Sequence, residues 1–155
     1  MKRRPVALLA LAAAVGLLLS GCSNGGTVAV DPAENASDPG CASIVLNLPD
    51  AISEGEVQLD KRQTSAQATG AWGSPTAVIM RCGVAEPAPS SAACTTVDDV
   101  DWVNVAVEGS TYTFVSYGRT PAVEVTLDNT KASAVAALSA ISPTMQRTEQ
   151  YSQCT

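Results

Sequence analysis

Arg81 and Arg119 are the two side chains of this sequence best built to hold an anion. A planar guanidinium offers paired donors to a carboxylate or a phosphate, and cations are few in this chain. Each has a second use, an internal pair with one of the many acids. Trp72 and Trp102 head a short aromatic set with Tyr112, Phe114, Tyr117 and Tyr151. An aromatic face can stack on a sugar or grip a peptide, but so small a set must also build the core. Trp72, Arg81, Trp102 and Arg119 are therefore the candidate ligand-binding residues, on condition that they converge on one concave surface. Asp98, Asp99 and Asp101 form the densest carboxylate cluster. Calcium takes several such oxygens, but the spacing does not follow the EF-hand loop, and a solvated loop entering a strand at Trp102 accounts for it. A carboxylate pair working as glycosidase acid and base is the remaining catalytic option in so acidic a chain.

Much chemistry is excluded outright. The sequence has no histidine, so Ser-His-Asp and Cys-His nucleophile systems, histidine-ligated zinc and histidine general bases have no basis. Lys61 and Lys131 lie outside any S-x-x-K motif, because Gln58 and Asp128 stand three residues before them. There is no G-x-S-x-G, no G-x-G-x-x-G and no P-loop. No cofactor and no metal are expected.

Cysteine carries the most specific signal. Lys2, Arg3 and Arg4 precede an uncharged run of 14 residues, Val6 to Leu19. That run is shorter than the roughly 20 residues a spanning helix needs, and with its basic start it describes an export signal. It ends in Leu19-Ser20-Gly21-Cys22, which resembles the lipobox of bacterial lipoproteins. The thiol of Cys22 is the group that becomes alkylated, and cleavage makes it the first residue. Residues 1–21 are read as a lipoprotein signal peptide and 22–37 as a flexible tether, which spans roughly 25 Å on average. Residues 38–155 are read as a single domain. The expected location is the outer face of the cell membrane, held through lipid on Cys22. Without Lys2, Arg3 and Arg4, six basic residues face fifteen acidic ones, a formal charge of −9. Such a surface is repelled by nucleic acid and by anionic headgroups, so no nucleic-acid partner is expected and acyl chains must supply the membrane affinity.

With Cys22 assigned to lipid, Cys41, Cys82, Cys94 and Cys154 remain, an even set that suggests two disulfides in an exported chain. Three pairings are possible. The short Pro/Ser/Ala loop favours Cys82–Cys94, which leaves Cys41–Cys154 to join the two ends of the domain.

These residues need positioning. Asp38-Pro39 predicts a helix start, with aspartate as cap and proline in the first turn; Ile44, Leu48 and Ile52 follow at four-residue spacing, and Pro49 ends the helix near Leu48. Glu54 to Thr69 reads mostly as loop, with an alternating edge strand over Glu56–Asp60. Strands are predicted over Ala77–Cys82, Trp102–Val107, Thr111–Tyr117 and Ala122–Leu127, the middle two flanking the Glu108-Gly109-Ser110 turn. A second helix over Thr130–Ser142 carries Ala134, Leu138 and Ile141 as its apolar stripe and stops at Pro143. The expected fold is α+β: a small antiparallel sheet of about four strands, with an N-terminal and a C-terminal helix on one face and two disulfides.

Ala71-Trp72-Gly73-Ser74-Pro75, Arg81-Cys82-Gly83, Asp101-Trp102 and Tyr117-Gly118-Arg119-Thr120-Pro121 stand in order along the chain. Together with Cys41, Leu48-Pro49 and Cys154, they resemble an uncharacterised family of actinobacterial lipoproteins and secreted proteins, a domain of unknown function. The resemblance implies export and a small disulfide-bonded domain. It implies no established activity and transfers no catalytic residue. Gly73 and Gly118 suit tight turns. The expected function is that of a non-catalytic envelope lipoprotein that binds or scaffolds an extracytoplasmic protein or wall ligand. A small-ligand carrier with an apolar cavity under the sheet and a carboxylate-based envelope hydrolase are the alternatives.

Overall fold

Asp38 starts the first helix as its place before Pro39 predicts: its Oδ1 accepts from the Gly40 N–H at 2.7 Å, and α1 runs Pro39–Leu46. The computed structural model describes residues 26–88 and 94–154. Ten strands follow or interrupt the two helices: β1 (Ala51–Glu54), β2 (Val57–Arg62), β3 (Thr69–Trp72), β4 (Val78–Val84), β5 (Cys94–Val97), β6 (Val100–Glu108), β7 (Thr111–Tyr117), β8 (Arg119–Thr120), β9 (Ala122–Asp128), then α2 (Ala134–Met145) and β10 (Glu149–Gln150). Eight of them form one antiparallel sheet in the order β1-β2-β3-β4-β9-β7-β6-β5, and β8 pairs with β10 apart from it. Within the eight-stranded sheet, only the β4–β9 and β9–β7 pairings depart from simple neighbours in sequence.

The sheet is a half-barrel, and α2 explains its curl. This helix touches β9 in the middle of the sheet and also β1 and β5, its two opposite edges. Ala137, Leu138, Ile141 and Met145 of α2 are buried in one core with Ile44 and Leu48, Trp72, Val78, Met80, Trp102, Val123, Val125 and Leu127. The helix therefore fills the concavity, and α1 lies against both α2 and β4. Ser133 caps α2 by accepting from the Ala136 N–H at 3.1 Å. Its hydroxyl donates at 2.8 Å to Glu54 of β1, which puts a carboxylate at the positive end of the helix dipole.

Four expectations need correcting. The sheet has eight strands, not about four. Residues 54–69, read mostly as loop with a short strand over Glu56–Asp60, contain β2 over Val57–Arg62, which overlaps that strand, and lead into β3. Strand β3 (Thr-Gly-Ala-Trp) is buried at every position, so the alternation that marks a one-sided strand is absent. Strand β5 is joined to β6 by a two-residue turn in which Asp98 and Asp99 both have positive φ (48° and 61°), the geometry that aspartate tolerates in tight hairpins. Secondly, the first helix ends at Leu46 rather than near Leu48, and Ile52, which continues its four-residue spacing, lies on β1. Thirdly, α2 continues past Pro143 to Met145. Proline removes the N–H that would reach the Ser139 carbonyl and crowds that carbonyl with its ring, but so near the C-terminus this cost does not stop the last residues. Fourthly, the disulfides are Cys41–Cys82 and Cys94–Cys154, with Cα separations of 5.6 and 6.4 Å. The expected Cys82–Cys94 and Cys41–Cys154 pairs are not formed, because Cys82 lies on β4 facing α1, while Cys94 starts the far edge strand β5.

The stretch read as a tether is in large part an arm of the domain. Val28 exchanges backbone bonds with the Gln63–Ser65 segment (2.8 and 3.0 Å), Ala33 and Ala36 are buried, and the Asn35 N–H donates to Gly83 at 2.9 Å. At the other terminus the tail crosses Gly118, whose carbonyl accepts from Tyr151 at 2.9 Å. Gly83 and Gly118 both have positive φ, 88° and 67°, and a Cβ on either would overlap the backbone of Asn35 or Ser152. Gly118→Ala is therefore expected to destabilise the domain by more than about 1 kcal/mol. Hydrogen exchange should show the protection lost first in residues 149–154; a variant with unchanged melting and tail protection would refute the close approach. Cys22 and the signal segment lie outside the described residues.

Candidate functional site

Two of the motif loops meet at one end of the half-barrel. Strands β4 and β9 pair from Val78↔Leu127 to Val84↔Ala122, so Gly83 follows Cys82 to the same end as Arg119-Thr120-Pro121. A hollow of about 340 Å³ opens there, lined by Asn35 and Asp38 of the arm, Val84 at the end of β4, Glu86 beyond it, and Thr120 and Pro121. Glu86 organises it. One carboxylate oxygen accepts from the Gly118 N–H at 2.9 Å and the other from the Tyr151 hydroxyl. Asn35 and Thr120 are exposed at its rim. Asp38 keeps its second oxygen beyond the one that caps α1. The hollow thus offers carboxylate, amide and hydroxyl groups with a restrained backbone beneath them, a surface suited to hydrogen-bond donors.

The four candidate residues do not gather there or anywhere else. Trp72 is fully buried and its indole N–H donates to the Pro49 carbonyl at 3.0 Å. Its ring lies against Gly70, where a Cβ would collide with both the indole and Leu48, so the Leu48-Pro49 and Trp72-Gly73 motifs belong to one packing unit. Trp102 is equally buried and donates to Ser142 of α2 at 3.1 Å. Neither indole presents a face to a ligand. Arg81 pairs across strands with Glu124, its register partner, at 2.7 Å. Arg119 has no carboxylate partner among the described residues; its guanidinium is buried and donates to the carbonyls of Asp99, Met145 and Thr148 and to the Gln150 side chain, at 3.1–3.3 Å. Only Arg119 also borders the hollow.

Asp101, singled out with Asp98 and Asp99, is buried. It accepts from the Thr96 hydroxyl at 2.6 Å and from the Cys154 N–H at 2.8 Å. Asp101, Cys94 and Cys154 come together closely enough to suggest a metal site, but the two sulfurs are bonded to each other and both carboxylate oxygens have donors. Glu86 was not legible as a site residue. It is an isolated acid in a Val-Ala-Glu-Pro stretch, and its two donors are more than thirty residues away in sequence.

Elsewhere on the surface, an apolar groove of about 460 Å³ lies beside α1, lined by Pro39, Cys41, Val45, Leu46 and Ala68. It opens outward rather than beneath the sheet. At the opposite end of the strands from the polar hollow, Asp128 ends β9 and leads into a turn. Its carboxylate accepts from Lys131 at 2.5 Å and from the Thr130 hydroxyl and N–H at 2.7 and 3.0 Å. Lys131 first, then Thr130, hold the Asp128 carboxyl well below its ordinary range. A depressed carboxylate contributes stability that is present above the unfolded value near pH 3.8 and is lost as pH falls through the folded value. Acid unfolding of Asp128→Asn should therefore have a shallower pH dependence below about pH 4 than the parent, measured by melting temperature against pH. Parallel curves would remove this role.

No described helix is long and apolar enough to cross a membrane. Among models of protein families, one described as a protein of unknown function (DUF3515) matches residues 4–154. No curated protein and no solved structure matches this chain.

Proposed function

We propose, for a chain that belongs to the DUF3515 family of unknown function, a non-catalytic role as a lipid-anchored envelope protein on the outer face of the cell membrane. There it binds an extracytoplasmic protein or wall ligand. The observation that carries this reading is how the motif residues are used. Trp72, Trp102, Arg119, Gly83 and Gly118 hold helices, arm and tail on the half-barrel, and Arg81 ties β4 to β9 within it. What they build is a rigid polar hollow at Asn35, Asp38, Glu86 and Thr120, with its contact groups pre-set. Preorganisation of this kind favours recognition, since less ordering entropy is lost on binding. The lipobox at Cys22 supplies the location.

Two experiments test the reading. Cys22→Ser is expected to block processing or release the protein from the membrane fraction while leaving its melting temperature unchanged; a correctly cleaved variant that stays membrane-bound would overturn the anchor. A photo-crosslinking residue at exposed Thr120, used in intact cells, is expected to capture one reproducible partner or wall fragment, in contrast to the same residue at exposed Gly109. Equal, non-specific labelling at both positions would count against a binding role for the hollow.

A further inference from the structure

The docked arm fixes where an anchored chain leaves the domain. Gly26 is held by the Arg62 guanidinium, which donates to its carbonyl at 2.6 Å and to the Gly73 carbonyl at 3.2 Å. The arm then runs past Gln63–Ser65 to Asn35 at Gly83. It therefore begins at the end of the sheet opposite the polar hollow. That end is defined by register: Lys61, Trp72, Val78, Leu127, Tyr112 and Val107 stand opposite one another in successive strands. Between Cys22 and Gly26 there are four peptide units, which reach at most about 14 Å, where the sequence alone suggested a tether of roughly 25 Å. Seven-residue strands such as β4 are about 20 Å long. A leash shorter than the sheet excludes an inverted domain.

We infer that this end of the half-barrel is the surface that meets the lipid headgroups, and that the polar hollow faces away from the membrane. The inference rests on the lipid anchor proposed above. The surface chemistry favours it. Of the six cations that follow Cys22, Arg81 and Lys131 are paired with carboxylates and Arg119 is buried. Lys61 and Arg62 are two of the remaining three and both border a groove of about 530 Å³ between β2 and the Gly73-Ser74 turn; Arg62 is committed to the Gly26 and Gly73 carbonyls, so Lys61 is the one of the two that faces outward. Val57, Val107 and Val135, each more than half exposed, lie at this end. Cations beside exposed apolar side chains suit the phosphate layer of a bilayer. Glu54, Glu56, Asp60 and Glu108 at the same end oppose adsorption on charge alone, so the acyl chains provide the affinity and the short leash provides the orientation.

The test uses the full-length processed protein in lipid nanodiscs of phosphatidylglycerol and phosphatidylcholine carrying a headgroup nitroxide. Amide signals of Gly55, Ser74, Gly109 and Asn129 should be broadened several-fold more than those of Gly83, Asp98 and Gly118. A long Gly/Ser insertion between Gly25 and Gly26 should level that difference. Lys61→Glu, which keeps the Arg62 bond to Gly26, should reduce it. Uniform broadening of the parent, or broadening strongest at Gly83 and Gly118, overturns the orientation and leaves the anchor standing. Intact mass of the same sample separates the two: absence of acyl chains on Cys22 overturns the anchor and the orientation with it.

Discussion

Arg119→Ala is expected to cost the domain about 3 kcal/mol through the acceptors it strands, a fall of roughly 10 °C in melting temperature. Arg119 is only 6% exposed, and its four acceptors come from three places: the β5–β6 turn at Asp99, the C-terminal end of α2 at Met145 and Thr148, and β10 at Gln150. No carboxylate among the described residues balances the charge. The balance comes from carbonyl dipoles, including the negative end of α2, where a cation is stabilised. Alanine leaves three carbonyls without this donor, and a buried unsatisfied group costs about 1–3 kcal/mol. Arg119→Lys should recover less than half of the loss, because one ammonium cannot span acceptors on three segments. Urea unfolding measures the total, and hydrogen exchange should place the loosening in residues 98–101 and 145–151. A loss below about 1 kcal/mol would show that the guanidinium is not the pin described here.

The parts of the fold that sequence pattern reveals are those with one covered face or a chemical start signal. The Asp38-Pro39 cap, the Glu108-Gly109-Ser110 turn and the alternating Val123, Val125 and Leu127 of β9 all appear where expected. What stays hidden has a shared physical cause. Strand β3 is buried on both sides, so it shows no period of two. Strand β1 buries only Ile52, and β5 is a half-exposed edge; short edges carry little hydrophobic signal. The arm over 26–37 is rich in small and polar residues, which composition reads as a linker. It is ordered by backbone bonds to residues far along the chain, and composition has no access to those.

The candidate residues were legible as important and illegible as to purpose. Arg81 finds an acid, as a lone arginine among many carboxylates tends to, and its partner Glu124 is set by strand register. Arg119 does not, because the chain brings helix and turn carbonyls to it instead. Core packing was the stronger expectation for the tryptophans and a ligand role the weaker, and each indole N–H has a buried or backbone acceptor, which settles them in the core. Sequence order concealed the polar hollow altogether, since its lining comes from the arm, the segment after β4 and the β8 loop.

The two disulfides should prove unequal although their loops are nearly the same. Separations of 41 and 60 residues give about 4 kcal/mol each on the chain-entropy model, so loop length does not decide. Context does. Cys41 and Cys82 are 1% and 0% exposed within the core and tie α1 to the central strand β4, next to the Gly83–Asn35 contact. Replacing both with alanine removes the cross-link and leaves a void that packed neighbours fill only in part. A loss of at least about 4 kcal/mol is expected, enough to unfold a marginal domain. Cys94 and Cys154 are half-buried and join an edge strand to the tail. Without that bond the tail gains freedom in the folded state as well, which offsets part of the unfolded chain's gain. The Cys94→Ala/Cys154→Ala variant should lose about 2 kcal/mol, with exchange protection falling only near residues 149–154, where Gly118 and Asp101 still bind the tail. Equal losses for the two variants, or a Cys82–Cys94 peptide in a non-reducing digest, would overturn this assignment of roles.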